Sequence, residues 1–377
     1  MCTSAQSKRI PLVAAVLAAA LLTTSAVPAA ALLVPEKGSN TLAIIDPGSL
    51  QVVARVPSGT DPHEVVASGD GTRAYISNYG GEGSSFNFIS VVDLTTRQPL
   101  PPIDLGALHS AHGLDFQGGE LYFTAESNKV IGRYDPVAQM IDWVLGTGQD
   151  RTHMVIVARD LEHIYTSNVA SGTISIIRSQ MRSYGPPPGV AAPPPGAAGT
   201  QPAPGPQPRK VWEVTNVPSG RGSEGFDISP DGRQIWAANA QDGTVTVIDV
   251  ASMKAAETFP VPVQNANRLK FSLDGRYVLI TGLGAFGPGQ HSDGNNLVVL
   301  EAASHRLIKS LALGGGSAGI LMDPSGSRAF VAVNQGGKVA VIDLRTLQVS
   351  GQIAANQPDG MAWADTQFSP QGARRTP

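Results

Sequence analysis

Beyond its second residue the chain has no cysteine, and that absence removes disulfide bonds, thiolate metal sites and cysteine nucleophiles from consideration. Cys2 itself lies within residues 1–31, which read as a secretory leader. Lys8 and Arg9 precede an apolar run from Ile10 to Leu22, and the segment closes on the small residues Ala29, Ala30 and Ala31. Cleavage is expected after Ala29 or Ala31, delivering a periplasmic or secreted mature chain without Cys2. No CxxCH sequence occurs, so covalently attached haem is not expected. Long hydrophobic runs are also missing. The leader's run is too short to span a bilayer, and no later stretch reaches the roughly 18 to 20 apolar residues of a membrane helix, so no membrane span is expected. Charge is scarce at 15% of residues, and positive charge has no excess. Without Lys8 and Arg9 the 27 basic residues become 25 against 30 acidic ones, a net charge of about −5. That balance disfavours a general grip on phosphate backbones, and no nucleic-acid partner is expected. Neither GxSxG nor a Gly-Lys-Ser/Thr phosphate loop is present.

What the chain does contain is a repeat. The segments RAYISNYGGEGSSFNFISVVDL, HIYTSNVASGTISIIRS, QIWAANAQDGTVTVIDV and RAFVAVNQGGKVAVIDL share one plan: a β-rich run, a polar Gly-containing turn, and a second run closing on a polar residue. The closing position falls at Asp46, Asp93, Asp135, Arg178, Asp249, Glu301 and Asp343, giving intervals of 47, 42, 43, 71, 52 and 42 residues. Most of these approach the roughly 40 to 45 residues of a four-stranded propeller blade. The two long intervals contain a Pro-rich stretch, 183–208, and the loop GLGAFGPGQHSDGNN. Each unit offers four strands, A to D, such as GFDIS, IWAAN, TVTVID and AAETFPV. Between A and B stand SGDG, SPDG, SLDG or DPSG, where Asp or Pro starts a bend and Gly takes the positive-φ position.

Seven A strands can be counted: Pro62–Ser68, Ala111–Phe116, Thr152–Val157, Ser223–Ser229, Ala266–Ser272, Ser317–Asp323 and Asp359–Ala364. From Leu32 the chain supplies only B, C and D strands, and its last ordered segment, PDGMAWAD, is an A strand with nothing after it. Together they complete one blade, so the expected fold is an all-β, seven-bladed propeller of four-stranded antiparallel blades spanning 32–365. It closes by pairing the two ends, which removes the exposed sheet edges of an open array. Residues 366–377 are expected to be a disordered tail, and 183–208 a disordered insertion in a C-to-D loop.

The B strand, turn and C strand in AYISNY…FISVVDL and IWAANAQDGTVTVIDV, with SPDG, resemble the YVTN β-propeller repeat of bacterial and archaeal surface and periplasmic proteins. The resemblance covers nearly all of 32–365. It implies a fold more than a function, since the repeat serves binding proteins, lactonase-like enzymes and the propellers of haem or copper oxidoreductases. The copper-cluster propellers of nitrous-oxide reductases use more histidines than this channel offers.

Antiparallel strands put the D-to-A and B-to-C connections on one face, where A strands begin around the channel. Aligning the A strands there gives a column of His63, His112, His153, Glu224, Asn267, Ala318 and Asp359. Three imidazoles on successive A strands suit zinc or copper, with Glu224 or Asp359 as a further ligand or a base. The competing reading is structural: a strand-entrance histidine often bonds a turn carbonyl or pairs with a carboxylate. Arg268 could hold a carboxylate or phosphate, though a salt bridge to a neighbouring blade is the plainer expectation. His291 and Asp293 lie in a long B-to-C loop on the same face. The Asn residues at 78, 168, 239 and 334 recur with the repeat and read as turn caps.

Two functions follow. The first is a monomeric, exported binding propeller that holds a small ligand, a metal ion or a protein partner at its His-lined face. The second is an enzyme centred on the same histidines, a lactonase-like hydrolase or a zinc- or copper-dependent oxidoreductase, with Glu224, Asp359 and Arg268 as catalytic candidates.

Overall fold

In the computed structural model of the chain, the residues described are Met1, 30–81, 83–183, 208–284 and 296–365. His291, Asp293, residues 184–207 of the Pro-rich insertion and the tail lie outside them. The strands, numbered β1 to β28 in chain order, form seven four-stranded antiparallel sheets, and these are the blades of a seven-bladed β-propeller. Among the described residues helix is confined to one short turn, Glu126–Asn128.

The blade plan follows from alternation. Within the first blade, β2 (Thr41–Asp46) is buried along its middle, whereas the outermost strand, β3 (Gln51–Pro57), buries only alternate residues. A strand covered on both faces needs Val, Ile and Leu throughout, and an edge strand needs them on one side only. The buried apolar residues of the described chain fall into seven clusters, each shared by two adjacent blades. One joins Trp236 and Val247 to Leu269, Phe271 and Ile280; another joins Leu32 and Ile45 to Phe330 and Val341. No blade buries a core alone, so the ring folds by stacking.

Turn chemistry accounts for the repeat signature. Asp46 Oδ1 accepts from the N–H groups of Gly48 and Ser49 at 2.8 and 2.9 Å, and Asp93, Asp135, Asp249 and Asp343 cap the matching C-to-D turns. In the A-to-B turns, Gly71 and Gly232 take φ of 68° and 72°.

Closure is as the sequence predicts, with two additions. β1 (Ala30–Glu36) pairs with β28 (Ala362–Asp365), matching Leu32 with Trp363 and Leu33 with Ala362. The pairing also takes in Ala30 and Ala31, the last residues of the expected leader segment. Trp363 Nε1 donates to Met322 O at 2.7 Å, fastening the closing blade to the seventh. The buried Glu36 carboxylate accepts from Arg55, Thr41 and the Asn356 N–H, stitching the two ends together.

The innermost strands that line the channel are β4 (Pro62–Ala67), β8 (Ala111–Gln117), β12 (Thr152–Val157), β16 (Ser223–Ile228), β20 (Ala266–Phe271), β24 (Ile320–Met322) and β28. β24 and β28 are shorter than their sequence counterparts, so Ala318 and Asp359 sit just ahead of regular strand. Side-chain hydroxyls hold neighbouring inner strands in register. Thr124 donates to His153 O at 2.7 Å, Ser167 to Glu224 O at 2.5 Å and Thr281 to Ala318 O at 2.7 Å. A β-carbon at Gly113 would fall 2.4 Å from His153 O, so glycine is what lets β8 and β12 approach this closely.

Candidate functional site at the channel mouth

The strand entrances bring the predicted column together. The His63 and His112 rings meet edge-on with centroids 5.1 Å apart, and His112 stacks on His153 at 3.7 Å. Glu224 Oε2 lies 2.9 Å from His153 Nε2, at ion-pair distance but off the line of a hydrogen bond. Asp359 Oδ2 lies 3.2 Å from His63 Nδ1. Asn267 and Ala318 are buried in the same ring without joining this network.

Four further residues, absent from the sequence-based column, stand against these histidines or their carboxylates. Glu126, buried on the short turn that follows the third blade's B strand, contacts His153 Nδ1 and accepts from Tyr79 Oη at 2.6 Å. Tyr79 also packs edge-on against both His63 and His112. Arg151 Nε stands 3.4 Å from Glu126 Oε2. Asp61 Oδ2 faces His63 Nε2 at 3.3 Å. A partial signal for two of them exists in the repeat. Tyr79 and Glu126 hold the position just after the B strand, where Val169, Ala240 and Leu283 are small or apolar.

The Asn residues divide between two positions. Asn78, Asn168 and Asn239 end their B strands and cap: Asn78 Nδ2 donates to Ser58 O and Thr60 O. Asn334 falls one residue past its strand, in the position of Tyr79 and Glu126, and donates to Pro358 O at 3.0 Å. Arg268 forms the salt bridge expected of it and more. Its Nη2 reaches Glu64 Oε1 on β4 at 3.1 Å, spanning the channel, while Nη1 lies 3.6 Å from Glu224 Oε2 on the adjacent blade. Room for this crossing comes partly from Gly360, where a β-carbon would fall 2.2 Å from Glu64 Oε2.

Burial and charge set the protonation states. Burial works against a charged His153, but Glu224 and Glu126 on either side outweigh it and raise its pKa to about 8. Burial likewise raises Glu224, yet His153, Arg268 and Arg151 bring it down to about 2. Glu126 is lowered despite burial by His153, Tyr79 and Arg151. Burial, with Asp359 nearby, raises Glu64 in spite of Arg268. His112 is different. Burial, with His153 and His63 adding repulsion, holds it well below the usual imidazole range, so it is neutral. Its Nδ1 is buried with no hydrogen-bond partner.

Among the described residues, one group of ligand-type side chains converges closely enough for a metal ion: His112, Glu126 and His153, whose donor atoms lie within 4.8 Å of one another. The expected trio of His63, His112 and His153 is thus gathered at one mouth, but His63 stands outside the convergent set and directs both nitrogens at carboxylates.

No protein-family model matches this chain, and no curated protein does either. Solved structures share its fold. A protein of unknown function from Desulfotomaculum acetoxidans superposes with a TM-score of 0.66 at 12% identity, covering 89% of this chain and 99% of that one. A Bacteroides uniformis protein described as a "putative 6-phosphogluconolactonase" gives 0.63 at 12% identity, with the same coverages. Hydrazine synthase of Kuenenia stuttgartiensis gives 0.56 at 19% identity, over 77% of this chain and 80% of that one. At these identities the likeness is one of fold.

Proposed function

We propose that the chain is an exported binding propeller of the YVTN type that holds a small cationic ligand at the mouth of its channel. One observation carries this reading: the mouth buries a connected network of charge that ring closure does not require. Closure is achieved by strand pairing, interblade hydroxyl bonds and glycine contacts. Buried charges oppose stability unless fully paired, so such a concentration is the mark of a site. Five carboxylates, Asp61, Glu64, Glu126, Glu224 and Asp359, face Lys37, His63, Arg151, His153 and Arg268, and carboxylates in that number favour a cation. Export rests on the leader sequence, and of its two cleavage sites the one after Ala29 keeps Ala30 and Ala31 for β1.

Native mass spectrometry of the mature protein tests the reading. A non-protein mass is expected that is lost in Glu224→Gln and kept in Asp231→Asn, on the opposite face. Bare polypeptide in every sample, with no ligand recovered on addition of metal ions or small amines, overturns it. A second reading, lactonase-like hydrolysis, is favoured by His153, an imidazole held between two carboxylates with its pKa near neutrality. Lactone hydrolysis lost in His153→Ala would move the assignment to an enzyme.

A further inference from the structure

We infer that His112, His153 and Glu126 together form a three-residue site for one divalent transition-metal ion of the zinc or copper type. The inference rests on the reading of the mouth as a cation site and names the cation. Three independent segments deliver the donors: β8, β12 and the turn Glu126–Asn128. All three side chains are buried, and their donor atoms fall within 4.8 Å of one another, a separation an ion can bridge without moving the backbone.

Two features of this group have no explanation within the protein alone. His112 is 2% exposed, yet its Nδ1 bonds to nothing, which is uncommon for a buried polar atom and normally signals a missing partner. His112 also lies face to face with His153, rings 3.7 Å apart and inclined by 29°. The stacked contact itself gives neither ring a hydrogen bond. Two imidazoles that both ligate one ion, in contrast, are held side by side by their shared partner.

The donor types select the ion. Two imidazoles and one carboxylate suit zinc and copper, whereas calcium and magnesium take oxygen ligands in larger numbers. A supporting shell is already present. Tyr79 Oη donates to Glu126 Oε2 at 2.6 Å, an outer hydrogen bond of the kind that orients a ligating carboxylate, and Glu224 Oε2 stands 2.9 Å from His153 Nε2. Three protein ligands leave a fourth position open. His63, fixed between Asp61 and Asp359, lines the mouth without ligating.

The test uses untagged mature protein stripped with chelator, titrated calorimetrically with zinc chloride and with copper sulfate, alongside elemental analysis before stripping. One ion per chain is expected. His112→Ala and the near-isosteric Glu126→Gln should each weaken binding roughly 100-fold or more. His63→Ala should change it only a few-fold. Circular dichroism melts of each variant separate loss of ligand from loss of fold. Copper bound to the wild type should show nitrogen hyperfine coupling that diminishes in His112→Ala.

Absence of stoichiometric binding overturns the inference, as does binding indifferent to both His112→Ala and Glu126→Gln, or equal loss in His63→Ala. If native mass spectrometry still finds an organic cation at the mouth when no metal binds, the metal assignment falls and the binding reading stands.

Discussion

The two ends of the channel are built from the same seven strands, about three residues apart, yet their polar groups are satisfied in opposite ways. At the far end the ring reads Val66, Asp115, Ile156, Asp227, Lys270, Leu321 and Ala362, beside a cavity of about 430 Å³. Its carboxylates bond mainly to backbone. Asp115 Oδ2 accepts from Val157 N–H at 2.7 Å, and Asp227 Oδ2 from Phe271 N–H at 2.9 Å, each reaching to the next blade. At the mouth the carboxylates turn mainly to side chains: Glu126 contacts Tyr79 and His153, Glu224 ion-pairs with His153 and Glu64 with Arg268, while Asp61 also accepts from the Gly80 N–H. Within the channel, the far-end acids tie neighbouring blades together through backbone, whereas most acids of the mouth are tied to other side chains.

The largest effect that would probe this contrast is at the mouth's backbone. Gly113→Ala should destabilise the protein by about 2–3 kcal/mol, because its β-carbon would meet His153 O. A urea unfolding curve measures it, and an unchanged midpoint would show that β8 and β12 can separate freely. Next in size, Asp227→Ala should cost about 1–3 kcal/mol by leaving the Phe271 N–H and Lys270 without their acceptor. The mouth should answer differently. Replacing Glu64 and Arg268 together by Met removes the whole buried pair, and stability should hold or rise by about 1–4 kcal/mol. A marked loss in the double variant would make the mouth network structural and erase the distinction.

Two pH windows sharpen the comparison in chelator-treated protein. At the far end, burial raises Asp115 from 3.8 to about 6, although the Val157 and Phe116 N–H groups work the other way. The folded state therefore holds its proton more tightly than the unfolded chain, and this contribution is present below pH 4 and lost as pH rises through 6. His153, raised from 6.5 to about 8, contributes stability below pH 6.5 that is lost as pH rises through 8. Unfolding midpoints across pH should show both declines. Asp115→Asn should abolish the first and His153→Gln the second. The smallest effect is expected at Lys37, whose Nζ stands 3.4 Å from Asp359 and 3.9 Å from Asp61. Lys37→Ala should lower the unfolding free energy by less than about 1 kcal/mol.

Much of the fold was legible because its signals are local. Asp46 and its counterparts announce C-to-D turns by bonding to N–H groups two or three residues on, and Val–Ile alternation marks each buried strand. The site was half legible. His63, His112, His153, Glu224 and Asp359 share one place in the repeat, so counting along each blade finds them. Glu126 stands at another place, where no spacing relates it to His153, 27 residues away. Glu64 and Arg268 lie 204 residues apart, and only the ring makes them neighbours. Asn334 shows the same limit in reverse: it reads like the other capping asparagines but sits one residue later, beyond its strand.

From sequence alone came the number of blades, the manner of closure and the end of the channel where the imidazoles stand. These depend on side-chain alternation and turn bonding within a few residues, which composition and order specify directly. Tertiary structure alone decided which groups meet across the mouth: Glu126 rather than His63 converging with His112 and His153, and Arg268 reaching over to Glu64. Those contacts depend on how closely seven strands crowd one axis and on where each side chain then finds room and charge.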